Sequence, residues 1–279
     1  MAADPSPGDL AIGIDFGGSG IKGAVVDIRT GVFYGDRIRV PTPQPSTPRE
    51  VVAVMSSLVR RLIDALAARE DGSVSAVDAA GLPVGVGIPS AIRSGTVMTA
   101  ANIDPAWIGF PAEKELSRVL DRPVAIGNDA DVAGLAELTF GAGRAQRGTV
   151  VVLTIGTGVG SALFVDGRLV PNTELGHLEL KGGDAEVRVA ESARDRLGLN
   201  WKEWAAGFDE YLHMLERLFW PDLFILGGGA SKRADNYLQH LTIKTPVVVA
   251  TLKNNAGIVG GALLAHERRT RGAVAALGR

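Results

Sequence analysis

The chain has 279 residues, of which 46% are hydrophobic and 22% are charged, as in soluble globular proteins large enough for two cores. Its formal net charge of −2 provides no long-range attraction to nucleic acid or to an anionic membrane, so we expect neither as a partner. The absence of cysteine excludes disulfides and thiolate metal sites. Residues 1–9 lack the apolar stretch of a secretion signal, and we expect a cytoplasmic protein.

Residues 10–27 predict two apolar strands joined by a glycine-rich turn. Asp15 ends the first strand, where its carboxylate is suited to holding a hydrated metal ion. Glycines allow backbone N–H groups to approach an anion, and Lys22 adds a positive charge beside them. The candidate phosphate-binding residues of this turn are Gly17, Gly18, Ser19, Gly20 and Lys22. Taken alone, the pattern also fits an ordinary glycine-rich hairpin.

The next segments alternate between strand and helix patterns, which indicates an α/β architecture. Residues 32–40 predict a third strand of the first sheet. Thr47 as N-cap, Pro48 at the first helical position and Glu50 predict a capping box and the start of a helix. The apolar residues of this helix recur at 3.6-residue spacing, which predicts one buried face. Residues 84–88 predict a buried strand.

Residues 99–108 predict a loop that combines polar groups with an aromatic side chain. The amide of Asn102 can donate to and accept from sugar hydroxyls, or it can cap a turn. Trp107 either walls a pocket or packs in the core. The residues of this loop do not by themselves separate these alternatives.

A predicted strand that ends at Gly127 is followed by Asn128 and Asp129, which open a helix. An acidic residue at a helix start is most often an N-cap, stabilised by the helix dipole. With Asp129 and Asp131 both in this turn, we expect at least one of them to have only that role. A carboxylate within reach of a substrate hydroxyl can also accept its proton.

Residues 153–166 repeat the plan of the first hairpin about half a chain further on. Thr154 occupies the place of Asp15, and the flanking apolar strands correspond. The candidate phosphate-binding residues of this second turn are Thr157, Gly158 and Gly160. Two such units indicate two related domains, each of which offers a phosphate-binding hairpin.

The remaining segments continue the α/β pattern. Residues 201–220 predict a helix, and residues 223–226 predict a strand. The strand leads into three glycines, 227–229, and a further helix, which together offer backbone N–H groups to a nucleotide or phosphate. Residues 247–252 predict another strand, and residues 254–264 predict a helix of small residues that packs close to the backbone.

These motifs resemble, in their order, the superfamily of actin, hexokinase and the heat-shock chaperones. Asp-Phe-Gly-Gly-Ser-Gly-Ile-Lys, Asn-Asp and Glu-x-Gly-His resemble its ROK sugar kinases, over residues 10–265. The resemblance implies a two-domain α/β fold of the actin-like/hexokinase (ribonuclease H-like) type with a cleft between the domains. It also implies a small domain, 1–126, and a large domain, 127–264, with a C-terminal helix, 265–279, packed back on the first.

The resemblance further assigns roles to single residues. Asp129 of the Asn-Asp pair is the implied general base, and Asp15 is implied to hold Mg²⁺ through water. The implied sugar-binding residues are Ser90, Asn102, Asn128, Asp129, Glu174, His177 and Glu186. The implied donor-binding residues are Gly227, Gly228, Gly229, Lys232 and Arg233. Near the glycine motifs we expect a set of cations for a longer phosphate chain, which comprises Lys22, Arg144, Arg147, Lys232 and Arg233.

One element departs from the ROK pattern. In most ROK proteins the histidine that corresponds to His177 also binds a structural zinc with cysteines of a following loop, whereas residues 181–186 are short and have no thiol. We therefore expect no zinc. The missing loop leaves the last sugar-binding glutamate open: Glu186 is our prediction, with Glu179 and Glu191 as alternatives.

Within the family, the missing cysteine loop and residues 102–109 and 171–179 resemble the polyphosphate-using glucokinases. The implied activity is phosphoryl transfer from inorganic polyphosphate or ATP, with Mg²⁺, to the 6-hydroxyl of glucose and in some members mannose. A kinase of another sugar, such as fructose or an N-acetylhexosamine, stays open. A ROK regulator is less favoured, because only nine residues precede Leu10, too few for a DNA-binding helix-turn-helix. Both a monomer and a homodimer agree with the sequence.

Overall fold

The computed structural model describes residues 4–69 and 76–277, which form an α/β protein. The strands are β1 (Leu10–Gly17), β2 (Gly20–Asp27), β3 (Val32–Phe33), β4 (Ile38–Val40), β5 (Val84–Ile88), β6 (Ile92–Arg93), β7 (Thr96–Val97), β8 (Val124–Asn128), β9 (Thr149–Ile155), β10 (Val159–Val165), β11 (Arg168–Val170), β12 (Leu223–Gly228) and β13 (Val247–Val249). The α-helices are α1 (Pro48–Ala67), α2 (Ala76–Ala80), α3 (Ala112–Leu120), α4 (Asp129–Phe140), α5 (Glu186–Val189), α6 (Glu191–Arg196), α7 (Trp201–Phe219) and α8 (Ala256–Leu277).

Contacts between residues divide the chain into two units. Unit 1 contains the residues up to Ala136 together with those from Asn255 onward, and unit 2 is Glu137–Asn254. The boundaries differ from the predicted limits at residues 126 and 264. The reason is local packing: β8 pairs with β5, and α8 contacts β1, β2, β5 and β8 of the first sheet, so both segments belong to unit 1. Residues 278–279 of the predicted C-terminal helix lie outside the described residues.

The sheet of unit 1 has the order β3-β2-β1-β5-β8, with β4 also paired to β2. β1 and β2 are antiparallel, whereas β5 and β8 run parallel to β1. The predicted third strand, residues 32–40, is wrong as a single strand: it forms β3 and β4 instead. β3 pairs with β2 at Val26–Asp27, and β4 pairs with β2 at Ile21–Gly23. The residues between β3 and β4 are not part of the ladder.

α1 and α8 both pack on this sheet, and each was predicted from its residue pattern. Thr47 caps α1 by accepting a hydrogen bond from the Glu50 N–H at 3.4 Å, and the apolar face that follows is buried. α8 packs much closer, because its small residues meet glycines of the strands. A Cβ atom on Gly13 would overlap the Ile258 carbonyl oxygen, and one on Gly85 would overlap that of Gly261. The predicted close approach of a small-residue helix is therefore confirmed.

Unit 2 repeats this plan with a sheet of order β11-β10-β9-β12-β13. β9 and β10 form an antiparallel hairpin, and β12 and β13 run parallel to β9. The duplicated hairpin with parallel strands beside it confirms the repeat expected from the sequence. The core beside this sheet is rich in aromatic residues of α7, where Trp204, Phe208 and Tyr211 are buried.

Two predicted elements of unit 2 differ from the observed ones. The strand predicted over 247–252 is shorter, Val247–Val249. The helix predicted after the triple glycine is a 3₁₀ segment, Ala230–Asn236, and Arg233 interrupts it with φ −117° and ψ 19°. Among the helices of the described residues, none combines the length and the apolar character that crossing a membrane requires.

Candidate active site

Asp15 and Lys22 face each other across the first hairpin. They are directly paired in the β1–β2 register, and Lys22 Nζ lies 2.9 Å from Asp15 Oδ2. The start of α8 closes this site from one side, because a Cβ atom on Gly257 would lie 2.9 Å from Asp15 Cγ. The carboxylate of Asp15, which was predicted to hold a metal ion, is thus fixed in place. It forms an ion pair with Lys22, which was predicted to bind phosphate.

The turn of the first hairpin is held by two residues that the sequence did not single out. The Thr42 hydroxyl donates to the Gly17 carbonyl oxygen at 2.6 Å. Arg39 Nη2 donates to the Ser19 carbonyl oxygen at 3.1 Å, and its guanidinium would contact a Cβ on Gly20 at 2.8 Å. Arg39 pairs with Lys22 in the β2–β4 register, so two cations lie beside the turn. Only the strand pairing reveals this arginine, since residues 20 and 39 are far apart in sequence.

Asn128 and Asp129 lie at the junction of β8 and α4 in unit 1. Asn128 Oδ1 accepts hydrogen bonds from the N–H groups of Ala130 and Asp131, at 2.9 and 3.1 Å, so Asn128 caps the helix. Asp129 Oδ1 accepts from Ala130 N at 2.8 Å. Asp129 is half-buried, whereas Asp131 is only 3% exposed. Because the cap is an asparagine and Asp131 is enclosed, Asp129 is the carboxylate of this turn that a substrate can reach.

The other predicted sugar-binding residues of unit 1 have different surroundings. The Ser90 carbonyl oxygen accepts a hydrogen bond from Asn128 Nδ2 at 3.2 Å, while the Ser90 hydroxyl is buried and has no partner among the described residues. Asn102 is exposed, and its backbone carbonyl oxygen lies 3.9 Å from where a Cβ on Gly18 would be. Trp107 is fully buried against Phe16 and donates its indole N–H to the Ser46 carbonyl oxygen, so it packs in the core and does not wall a pocket.

The second hairpin ends in a turn at 156–158, where Gly156 N donates to the Gly158 carbonyl oxygen at 2.9 Å. Glu186 lies against this turn: its Oε2 accepts a hydrogen bond from Val159 N at 3.1 Å and would contact a Cβ on Gly158 at 2.6 Å. The turn that was predicted to bind phosphate therefore has a carboxylate beside it. Gly160, also predicted to bind phosphate, pairs with Thr154 in the ladder.

Glu174 directly precedes the 3₁₀ turn Leu175–His177, and His177 is the last residue of that turn. His177 Nδ1 lies 2.8 Å from Asp184 Oδ2, and this hydrogen bond raises the pKa of His177 above its ordinary value. Burial raises the pKa of Glu174, with the charge of Glu186 adding to the rise and His177 opposing it. The mutual influence of Glu174, His177 and Glu186 shows that these three predicted sugar-binding side chains form one cluster in unit 2.

The three glutamates after His177 lie in different places. Glu186 belongs to the cluster just described. Glu179 lies in a short bridge with Asp184. Glu191 lies at the triple glycine, where its Oε2 would overlap a Cβ on Gly229. Of the three alternatives, Glu186 is thus the one beside Glu174 and His177.

The triple glycine follows β12 in the parallel ladder beside β9. Gly228 has φ +78°, and a Cβ there would overlap the backbone of Ile155, so this position requires glycine. Lys232 and Arg233 are exposed in the 3₁₀ segment that follows. Arg147, one of the cations expected near the glycine motifs, lies away from the second phosphate turn. It precedes β9, whereas the turn follows it, and a seven-residue strand separates the two by about 20 Å.

Within residues 4–69 and 76–277, no group of three or more His, Cys, Asp or Glu side chains is arranged to hold a metal ion. His177 Nδ1 is engaged by Asp184. Asp15 offers a partly exposed carboxylate, and Mg²⁺ sites in proteins commonly use one or two carboxylates together with waters and substrate phosphates.

Comparison with known proteins supports this description. The family model described as ROK family matches residues 11–197. The polyphosphate glucokinase of Mycobacterium tuberculosis (strain CDC 1551 / Oshkosh) is 45% identical over 252 residues, which cover 90% of this chain and 89% of that protein. The crystal structure of the inorganic polyphosphate/ATP-glucomannokinase from Arthrobacter sp. strain KM has a TM-score of 0.84 and 49% identity, covering 93% of this chain and 99% of that one.

A third comparison bears on the fold alone. The ROK family glucokinase from Streptomyces griseus, solved with glucose and AMPPNP, has a TM-score of 0.75 at 24% identity, with 92% and 99% of the two chains covered. The duplicated hairpin-and-sheet units therefore define an α/β protein of the actin-like and hexokinase type. Within that class, the chain belongs to the ROK family.

Proposed function

We propose that this ROK-family chain is a hexokinase that transfers a phosphoryl group from inorganic polyphosphate or ATP to the 6-hydroxyl of glucose. The observation that carries the proposal is Asp129: a reachable carboxylate fixed at the start of α4, next to the helix cap Asn128. The relatives at 45 and 49% identity bear the names polyphosphate glucokinase and polyphosphate/ATP-glucomannokinase, which supports the same reaction here.

Asp129 acts as the general base. Its carboxylate accepts the proton of the 6-hydroxyl as that oxygen forms a bond to the terminal phosphorus of the donor, while the bond from phosphorus to the bridging oxygen breaks. The shortened polyphosphate or ADP leaves with the electrons of that bond. The transition state of phosphoryl transfer is loose, so the proton is transferred late and a weak base such as a carboxylate is sufficient.

Each unit contains its own set of hydrogen-bonding groups that suit a sugar. Unit 1 provides Asn102, Asn128 and Asp129, with Ser90 acting through its carbonyl oxygen on the Asn128 amide. Unit 2 provides Glu174, His177 and Glu186, and the charge of Glu186 raises the pKa of both Glu174 and His177. Mannose is included as an acceptor because a relative is named a glucomannokinase.

The donor is bound at the glycine turns. Backbone N–H groups of a glycine turn bind phosphate oxygens in the same way in ATP and in polyphosphate, so they do not distinguish the two donors. Lys22 and Arg39 add positive charge at the first turn, and Lys232 and Arg233 add it after the triple glycine. Asp15 would hold Mg²⁺ through water, and the ion would supply the positive charge that neutralises the donor phosphates. The enzyme works without zinc, in the cytoplasm, as a monomer or homodimer.

The test is a phosphorylation assay in which glucose, mannose, fructose and N-acetylglucosamine are each supplied with ATP and, separately, with polyphosphate. We expect product with glucose from both donors, and 6-phosphorylation by NMR. A preference of the purified enzyme for fructose or an N-acetylated sugar would contradict the acceptor assignment. Product from ATP but from no length of polyphosphate would contradict the donor assignment while leaving the sugar-kinase activity.

The donor cations are tested by salt and by charge removal. Because exposed charges are screened, the KM for polyphosphate should rise with salt more steeply than the KM for ATP. The double variant Lys232→Gln with Arg233→Gln should impair polyphosphate use more than ATP use. The matched control is Arg147→Gln, which removes an exposed cation about 20 Å from the second phosphate turn and should change neither KM.

A further inference from the structure

Residues 186–192 contact two glycine-containing turns of unit 2. These are the second phosphate turn, 156–158, and the triple glycine, 227–229. The Ser192 N–H donates to the Gly156 carbonyl oxygen at 3.1 Å, and the Ser192 hydroxyl donates to the Thr157 carbonyl oxygen at 2.6 Å. These bonds engage the carbonyl groups of the second phosphate turn. The start of α6 is therefore built against the place where the donor is proposed to bind.

Glu191, the residue before Ser192, extends to the other glycine turn. Its Oε2 would overlap a Cβ atom on Gly229, so the carboxylate occupies the space that the missing side chain leaves open. Gly229 N in turn lies 3.9 Å from where a Cβ on Gly156 would be, so the two turns are neighbours. Within the described part of the chain, no hydrogen bond or ion pair engages the Glu191 carboxylate.

A buried tyrosine, Tyr237, follows the same turn in the chain, directly after the 3₁₀ segment Ala230–Asn236. Tyr237 is fully buried among Trp201, Trp204 and Phe208, and its hydroxyl has no hydrogen-bond partner in the described residues. Burial, together with the charge of Glu191, raises the pKa of Tyr237, so the phenol stays neutral. Glu191 is thus a half-buried carboxylate whose charge acts on a buried phenol that lacks a hydrogen-bond partner in the described residues.

The chemistry of a carboxylate limits what can bind there. An ionised carboxylate only accepts hydrogen bonds and repels phosphate, so a chain of phosphates gains nothing from it. A ribose has two neighbouring hydroxyls, both of which donate. We propose that Glu191 binds the ribose hydroxyls of a nucleotide donor and so determines how strongly the enzyme prefers ATP over polyphosphate. This inference rests on the proposed kinase function.

The experiment compares Glu191→Ala with wild type using ATP, 2′,3′-dideoxy-ATP and polyphosphate. Hydrogen bonds to a charged group contribute about 1.5–3 kcal/mol, so wild type should prefer ATP over dideoxy-ATP by about tenfold or more in kcat/KM. In Glu191→Ala this preference should largely disappear. Its kcat/KM with polyphosphate should stay equal or rise, because a repulsive charge is removed. Calorimetric titration with AMPPNP gives the same comparison without turnover.

Asp195→Asn is the matched control, because it neutralises an exposed carboxylate on the same helix that pairs with Arg194. It should behave as wild type with all donors. Equal use of ATP and dideoxy-ATP by wild type would overturn the inference while the kinase function stands. Equal losses with ATP and polyphosphate in Glu191→Ala would also overturn it, since they indicate a structural role. No product from either donor in wild type would instead reject the proposed function.

Discussion

Lys22 Nζ lies 2.9 Å from Asp15 Oδ2, across the two strands of the first hairpin. The pair is partly shielded from solvent, with about a fifth of the Asp15 side chain exposed. The lysine therefore already balances the carboxylate before any donor binds. A metal ion near Asp15 would compete with Lys22 for the negative charge of the carboxylate. We therefore expect Asp15 to hold Mg²⁺ through water rather than directly.

Magnesium should be required and zinc should not. Removal of Mg²⁺ with EDTA should abolish phosphorylation, because the donor phosphates then lack neutralisation, and added Mg²⁺ should restore it. Asp15→Asn should raise the Mg²⁺ concentration for half-maximal activity by about tenfold or more. Near-stoichiometric zinc by elemental analysis, with activity lost to a zinc-selective chelator, would contradict the zinc-free assignment.

Asp129→Asn should reduce turnover by at least about a hundredfold, because the amide keeps the shape of the side chain but cannot accept the proton. Glucose affinity, measured by calorimetry, should change only a few-fold. Asp131→Asn is the matched control, since the same change is made two residues on at a buried position, and it should retain most of the turnover. Near-normal turnover in Asp129→Asn would rule out this base.

The choice among the glutamates is tested by Glu186→Gln and Glu179→Gln. Glu186→Gln retains an oxygen that can accept from Val159 N but removes the charge beside Glu174 and His177. Its KM for glucose should rise by about tenfold or more, given that hydrogen bonds to charged groups are the stronger ones. Glu179→Gln should leave that KM nearly unchanged. The reverse ranking of the two variants would assign the sugar contact to Glu179.

The His177–Asp184 pair should stabilise the protein only at lower pH. Asp184 raises the pKa of His177 in the folded state, so the added stability is complete below the ordinary value of about 6.5 and is lost as pH rises through the higher folded value. His177 is 49% exposed, so screening limits the effect to at most about 1 kcal/mol. Urea unfolding of wild type and Asp184→Asn should therefore differ at about pH 5.5 and converge at alkaline pH. A difference that grows with pH would contradict this.

Two glycine-to-alanine changes should have opposite effects on stability. Gly85→Ala places a Cβ where the Gly261 carbonyl oxygen of α8 lies, so the free energy of unfolding should fall by at least about 3 kcal/mol. Gly207→Ala, in the interior of α7, meets no atom within 4 Å and should raise it by about 0.5–1 kcal/mol. Thermal unfolding of both variants measures these effects. Similar shifts in both would show that α8 does not pack as described.

The sequence by itself determined the elements whose signals are local. The two hairpins, the Thr47 start of α1 and the Asn128–Asp129 junction follow from residue spacing and capping chemistry, and each occurs where it was predicted. Such signals are reliable because hydrogen bonds and hydrophobic periodicity act over a few residues. The family resemblance, based on the same motifs, supplied the fold class and the reaction.

The tertiary structure decided what depends on contacts between distant residues. It placed Trp107 in the core and brought Arg39 to the first phosphate turn. It also directed Glu186 and Glu191, which are only five positions apart, to different glycine turns. It also assigned β8, the start of α4 and all of α8 to unit 1. The physical reason is that strand pairing and close packing at glycines join segments far apart in the chain, and no local pattern encodes which partner a side chain will meet.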